Sequence, residues 1–287
     1  MPFTSARVAG LTTLAMIAFA ANSLLCRLAL TQTAIDAASF TSIRLAAGAL
    51  TLFLLSRRKP DRAARAGDWP SALALTAYAV CFSWAYIGLP AGTGALMLFG
   101  AVQLTMIGYG LLGGERLAPL QVTGFLAAVT GLLALLLPGA HAPAWGRATL
   151  MLCSGVAWGI YSLRGRGAGD PLLVNSGNFW RAAILSLCIT PLFAAGFSVD
   201  TAGVLCAMAS GGLASGIGYS VWYAAVRGLS ATGAASVQLS VPAIAALGAV
   251  VFLDEPLTLR LVLASIVILG GVALVIARRS DPLARKS

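Results

Sequence analysis

Apolar runs of about 20 residues follow one another along almost the whole chain, and few folds accommodate that spacing. A helix needs roughly 20 residues to cross the hydrocarbon core of a bilayer. Ten runs of that order lie at about residues 8–30, 36–56, 70–90, 93–112, 118–137, 145–164, 174–197, 202–226, 232–253 and 257–277. Shared among 287 residues, they leave no room for a soluble domain. The chain is 59% hydrophobic and 10% charged, with a mean hydropathy of +0.90, well beyond the range of soluble domains. The runs are continuously apolar instead of alternating over about ten residues, so they predict membrane helices and not barrel strands. The first begins after seven residues and carries no small-residue cleavage site, so it reads as a retained helix. The expected fold is an all-α integral membrane protein of ten transmembrane helices.

The chain also repeats itself. Glu255 lies 140 residues after Glu115, and at that offset Leu117 matches Leu257, Val122 matches Val262 and Gly131 matches Gly271. Arg27 matches Arg164 at an offset of 137, as does Ser39-x4-Arg44 with Ser176-x4-Arg181. Thr93-Gly94-Ala95 matches Thr232-Gly233-Ala234 at 139. The order of matches is kept while small loop insertions shift the offset. Five spans per copy divide the chain into repeats 1–140 and 141–287. An odd number of spans turns the second copy upside down relative to the first, a plan used by transporters.

Charge sets the expected orientation. Of the 19 Lys and Arg, 14 fall in alternate loops or at the termini: Arg7, Arg57 to Lys59, Arg62, Arg65, Arg116, Arg164, Arg166, Arg227, and Arg278, Arg279, Arg285 and Lys286. Basic residues concentrate on the cytoplasmic side, so both termini are expected there. The net charge of +10 is therefore spent on topology, and no nucleic-acid partner is expected. Glycines such as Gly212-x3-Gly216 and Gly270-Gly271 suit close helix packing, while Pro191 and Pro242 suggest kinks. The five cysteines lie in apolar spans without CxxC spacing and read as small hydrophobes.

Two five-helix repeats, each closing on Gly114-Glu115-Arg116-Leu117 or Asp254-Glu255-Pro256-Leu257, resemble the drug/metabolite transporter superfamily. Ala157-Trp158-Gly159, with Arg44 and Arg181 in the second helix of each copy, is similar to EamA-type repeats. The tyrosine- and tryptophan-bearing spans resemble YddG-type aromatic amino acid exporters most. That resemblance implies a basket of ten helices around a central cavity, and efflux across a bacterial inner membrane. The first-copy equivalent of Trp158-Gly159 is Ala21-Asn22, so the copies differ there.

All nine acids lie in loops or at helix ends. A buried carboxylate for a cationic drug or a proton relay is thus missing, although ionisable groups within spans are functional candidates by default. Arg44 and Arg181 lie seven or eight residues into their spans, roughly 10–12 Å deep. Either they attract a substrate carboxylate or gate the two entrances, or they snorkel and cap carbonyls. Tyr78, Phe82 and Tyr86 share one face of span 3, Phe99 and Gln103 one face of span 4, and Trp158 and Tyr161 one face of span 6. With Tyr219 and Trp180, these aromatics either line a cavity for a flat, zwitterionic or neutral solute or pack between helices and at interfaces. Asn22, Asn178, Gln103, Gln238 and Ser240 either bond a solute's charged ends or bridge helices.

No phosphate-binding loop accompanies Lys59 or Lys286, so no nucleotide site and no ATPase subunit is expected. The single histidine, His141, sits between the copies with no acid nearby, which disfavours an enzyme. The expectation is a cofactor-free secondary exporter of amino acid-like solutes in the lipid bilayer, working by alternating access without ion coupling. A drug or other metabolite exporter of the same fold is the alternative.

Overall fold

The computed structural model describes residues 5–57, 67–114, 117–137, 143–165, 168–189, 192, 196–226 and 237–277. Within them every regular element is a helix. The first seven are α1 (Ser5–Gln32), α2 (Ala37–Ser56), α3 (Trp69–Tyr86), α4 (Ala91–Leu112), α5 (Pro119–Leu136), α6 (Trp145–Arg164) and α7 (Pro171–Ile189). An eighth rod follows, made of α8 (Thr201–Met208), a π-helical segment (Ala209–Ile217) and α9 (Gly218–Val226). Then come α10 (Ser240–Leu253) and α11 (Leu259–Ala277). Seven of these rods are long and apolar enough to cross a membrane; α3, α6 and the 14-residue α10 fall outside that group. Much of the basic-loop pattern, with Glu115, Arg116, His141, Pro191 and Thr232 to Ala234, lies outside the described residues.

The acids at helix ends have a local job. Asp36 accepts from the amides of Ala38 and Ser39 at 2.9 Å, Asp68 from Ser71 at 2.8 Å and Asp200 from Gly203 at 3.3 Å. Each satisfies orphan donors at a helix start and places negative charge at the positive end of the helix dipole. Pro242 stands in the first turn of α10, where its missing N–H is not needed; the preceding turn at Leu239 marks the interruption.

Apolar side chains cover the outside. Leu112 is 91% exposed and Phe252 72%, and Leu50, Phe53, Leu126, Leu133 and Ile266 are also exposed. In lipid such a surface gains nothing from helix contact, so packing depends on close approach and polar links. Gly124 of α5 and Gly271 of α11 supply the approach: a Cβ on Gly124 would lie 2.6 Å from the Gly271 carbonyl oxygen. Gln121 supplies a link, donating from Nε2 to the Val275 carbonyl at 2.9 Å. Gly212 and Gly216 pack in the same way on Thr51 of α2.

The strongest helix contacts follow an exchange pattern. α3 lies on α6 and the eighth rod lies on α1; α4 lies on α6 and α10 lies on α1. α2 meets the eighth rod as α7 meets α3, while α2 with α7, α4 with α10 and α5 with α11 are self-paired. Trading each of the first five rods for the rod five places later leaves these partners unchanged. The main buried core draws residues from all ten rods.

Candidate functional site

A cavity opens in that core between α1, α3, α4, α6 and the eighth rod. Phe19, Asn22 and Ser23 line it from α1, Tyr78 from α3, and Leu98 and Phe99 from α4. Trp158 comes from α6, Ala214 and Ser215 from the π segment, and Tyr219 from α9. The space open to the centre of a water molecule is about 20 Å³, room for roughly one ordered water. A small organic solute needs a few hundred Å³, so its admission requires the walls to separate.

Aromatic rings form one continuous wall. The Trp158 ring centroid lies 4.9 Å from that of Tyr78, 5.2 Å from Tyr219 and 5.4 Å from Tyr161. Tyr219 meets Phe19 edge-on at 5.7 Å and Phe179 at 5.9 Å. Rings so arranged offer apolar faces inward while the hydroxyl groups find polar partners behind them.

Behind this wall lies a buried guanidinium. Arg44, only 2% exposed, donates from Nη2 to Tyr78 Oη at 2.9 Å. Its carbon CZ lies 5.2 Å from the Tyr78 ring centroid and 4.8 Å from that of Phe82. Asn22 Nδ2 also donates to Tyr78 Oη, at 3.1 Å, and Asn22 Oδ1 accepts from Ser210 Oγ at 2.6 Å. Tyr78 oxygen thus accepts twice, which leaves its own O–H to donate. Arg44 Nε and Nη1 have no hydrogen-bond partner. Of five guanidinium donors, three are therefore unmatched, and a desolvated cation of this kind favours an anion beside it.

The two ends of α3 are held by ion pairs. At its C-terminal end Arg27 Nη1 donates to the carbonyls of Tyr86 and Ile87, while Arg27 Nε pairs with Glu255 Oε1 at 2.8 Å. At its N-terminal end Arg164 Nη2 pairs with Asp68 Oδ1 at 3.0 Å, and Arg164 Nε donates to Ser71 Oγ at 3.0 Å. Burial alone raises the Asp68 carboxyl, but the Ser71 amide, the Arg164 guanidinium and the Ser71 hydroxyl outweigh it and hold it below the usual carboxylate range. From Asp68 a chain of bonds runs inward. The Asp68 amide donates to Asn178 Oδ1 at 2.9 Å, and Asn178 Nδ2 donates to the Tyr161 hydroxyl, which donates to Asn175 Oδ1. Tyr161 stacks on Trp158, so the end of α3 is linked to the cavity wall.

Of the candidates read from the sequence, the structure brings Asn22, Tyr78, Phe99, Trp158 and Tyr219 to the cavity. Phe82 and Tyr161 are buried just behind it, against Arg44 and Trp158 respectively. Gln103, one turn beyond Phe99, is buried without lining the cavity, and Gln238 is half-buried outside the lining. Trp180 points away, 64% exposed, because it lies on the outer face of α7. Arg44 and Arg181 are not equivalent: Arg181 is half-buried, donates to the Gly177 carbonyl at 2.9 Å and lies 5.8 Å from the Trp69 ring centroid. Phe19, Ser23 and Ser210 were not anticipated. The i, i+3, i+4 spacing of Phe19, Asn22 and Ser23 was the available signal, but a π register that turns Ser210 and Ser215 inward has no short-range pattern.

These features define a multi-pass membrane protein of the transporter class: apolar rods outside, and a narrow, aromatic and partly polar chamber at their centre. The EamA-like transporter family's sequence profile matches residues 146–277, so the chain carries a domain of that family. An uncharacterised protein of Pseudomonas aeruginosa is 56% identical over 278 residues, covering 96% of each chain. A probable terminal-alkyne amino-acid exporter of Streptantibioticus cattleyicolor is 27% identical over 225 residues, covering 74% of each. A protein crystal structure with 21% identity, covering 95% of this chain and 99% of its own, shares the fold at a TM-score of 0.66.

Proposed function

We propose that this chain is a secondary exporter of small zwitterionic solutes, above all aromatic and other apolar amino acids. The observation that carries the reading is Arg44: a buried guanidinium with unmatched N–H groups, bonded to the hydroxyl of a cavity-lining tyrosine. A substrate carboxylate is the anion it fits, and the Trp158, Tyr78 and Tyr219 rings suit an apolar side chain. The relative that exports a terminal-alkyne amino acid supports this substrate class. Asn22, Ser23 and Ser215 offer acceptors for the ammonium end.

The architecture is ten spans in two inverted five-helix repeats, 1–140 and 141–287, in a bacterial inner membrane with both termini in the cytoplasm. The exchange pattern of the packing supports two repeats. The matched Arg27 and Arg164, in the C-terminal parts of α1 and α6, reach opposite ends of α3, as inversion requires. Transport proceeds by alternating access. Among the described residues no carboxylate lines the central cavity, which favours flux driven by the solute's own gradient, with no ATPase subunit. A cationic-drug exporter is the less suited alternative, since Arg44 would repel its cargo.

Purified protein in liposomes tests this. Labelled phenylalanine, tryptophan and leucine are expected to equilibrate and exchange without a pH gradient. Uptake that strictly needs an imposed proton or sodium gradient overturns the uncoupled mechanism; flux of drugs with none of amino acids selects the alternative.

A further inference from the structure

A mostly buried ion pair, Arg27 with Glu255, lies one helical turn from the central cavity. Asn22 and Ser23 line the cavity, and Arg27 stands one helical turn beyond Ser23, about 6 Å along the axis. Its pair with Glu255 Oε1 joins residues 228 positions apart, with side chains only 18% and 13% exposed. The same two side chains bind backbone at a break between helices. Arg27 holds the last carbonyls of α3, and Glu255 Oε2 accepts from the Ala91 amide at 2.6 Å, at the start of α4. Glu255 also lines a second cavity of about 240 Å³, with Pro90, Thr93, Pro143, Leu257 and Leu261. That is far roomier than the central cavity and close to the size of a small-ligand site.

We propose that the Arg27–Glu255 pair is the outer barrier of the transport path, and that the cavity lined by Glu255 is an exit subsite selective for zwitterions. The proposal rests on the exporter reading above. Parting the pair orphans two mostly buried charges, which is costly unless each finds a new partner. A solute with a single charge satisfies one and strands the other. A zwitterion offers its carboxylate to Arg27 and its ammonium to Glu255, so both charges exchange partners and neither is left bare. Arg44, which meets no acid in the central cavity, reads only the carboxylate; the outer pair reads both ends. The Arg164–Asp68 pair at the opposite end of α3 is 41% and 49% exposed, so water can replace its partners and it discriminates little.

Cys26 is a built-in reporter, fully buried and adjacent to Arg27. With Cys81, Cys153, Cys188 and Cys206 replaced by alanine, a membrane-impermeant maleimide is added to intact cells. Cys26 is expected to be protected in the parent and labelled at least tenfold faster in Glu255→Gln, while Asp68→Asn leaves labelling at the parental rate. Should Glu255→Gln fail to reach the membrane, Glu255→Asp, which shortens the bridge, gives the same readout with a smaller rise. In liposomes the parent is expected to carry phenylalanine at least tenfold faster than phenethylamine or phenylpropionate. Unchanged Cys26 labelling in a folded Glu255→Gln protein, or labelling only in inverted vesicles, overturns the barrier. Equal flux of the three solutes overturns the zwitterion subsite. Absence of all amino-acid flux sinks the exporter reading, and with it the subsite, whereas the labelling result needs no substrate and judges the barrier separately.

Discussion

Gly211 of the π segment packs directly on the carbonyl of Arg44: a Cβ built on Gly211 would overlap that oxygen outright. The residue that carries the buried guanidinium is therefore pinned through its own backbone to the widened turn that delivers Ser210 and Ser215. π turns inside α-helices are frequently found at functional sites, and here the wider turn makes room for α2.

This contact gives the first prediction. Gly211→Ala must push α2 away from the eighth rod, because backbone cannot swing aside as a side-chain tip can. The expected cost is about 1–3 kcal/mol, as for overpacked cores, with transport lost. Gly10→Ala is the control, since nothing lies within 4 Å of a Cβ there, and helix propensity favours alanine by up to about 1 kcal/mol. Thermal melting in detergent distinguishes the two; equal melting temperatures refute the contact.

Arg44 should trade stability against function. Arg44→Met removes a buried cation with unmatched donors and keeps much of the volume, so the melting temperature is expected to rise. Transport of carboxylated solutes should fall about 10- to 100-fold in apparent affinity, in line with one or two charge-assisted hydrogen bonds of about 1.5–3 kcal/mol. Arg44→Lys should recover part of the affinity and none of the bidentate geometry. A variant that transports normally removes Arg44 from the site.

Two tryptophans, each within a helix, should behave oppositely. Trp158→Ala deletes a ring that contacts Tyr78, Tyr161 and Tyr219, and Tyr78→Ala removes the hydroxyl shared by Arg44 and Asn22. Both are expected to reduce transport more than tenfold at normal membrane abundance. Trp180→Ala, on an exposed face, is expected to leave rates within twofold. Flux measurements normalised to protein in the membrane decide it.

The capping acids predict a pH dependence. Burial raises the Asp36 carboxyl, but the Ser39 hydroxyl and amide and the Ser198 and Ala38 amides outweigh it, so it too sits below its ordinary range. A carboxyl whose folded value is depressed contributes stability above its unfolded value, about 3.9 for Asp. That contribution disappears as pH falls through the folded value. Melting temperature should therefore be flat from pH 7 to about 5 and decline below about 4. Asp36→Asn with Asp68→Asn should flatten the decline; an unchanged acid limb refutes the role of these caps.

Half of the cavity was legible in the sequence, and the physical reason is a loss of contrast. In a soluble helix the polar stripe tells outside from inside. Here lipid and protein core are both apolar, so periodicity shows that Tyr78 and Phe82 share a face but not which way it points. Trp158 and Trp180 illustrate the ambiguity: one is in the chamber wall, the other 64% exposed. The symmetry inferred between Arg44 and Arg181 also has limits. Their sequence positions match, yet Arg181 runs back along α7 to the Gly177 carbonyl and Trp69, while Arg44 is enclosed by Tyr78 and Phe82.

The amino-acid sequence by itself determined that this chain lives in a membrane as helices, because in hydrocarbon each backbone group must find its partner within its own segment. It also carried the repeated residues and the resemblance to the family, since apolar run length and matched residues are local or additive properties. The tertiary structure alone decided which aromatic faces converge on the chamber, that a π turn accommodates Arg44, and that Arg27 meets Glu255 across 228 residues. Those outcomes depend on how rods rotate and cross, which is set by close backbone approach and a few buried polar bonds rather than by any one segment's composition.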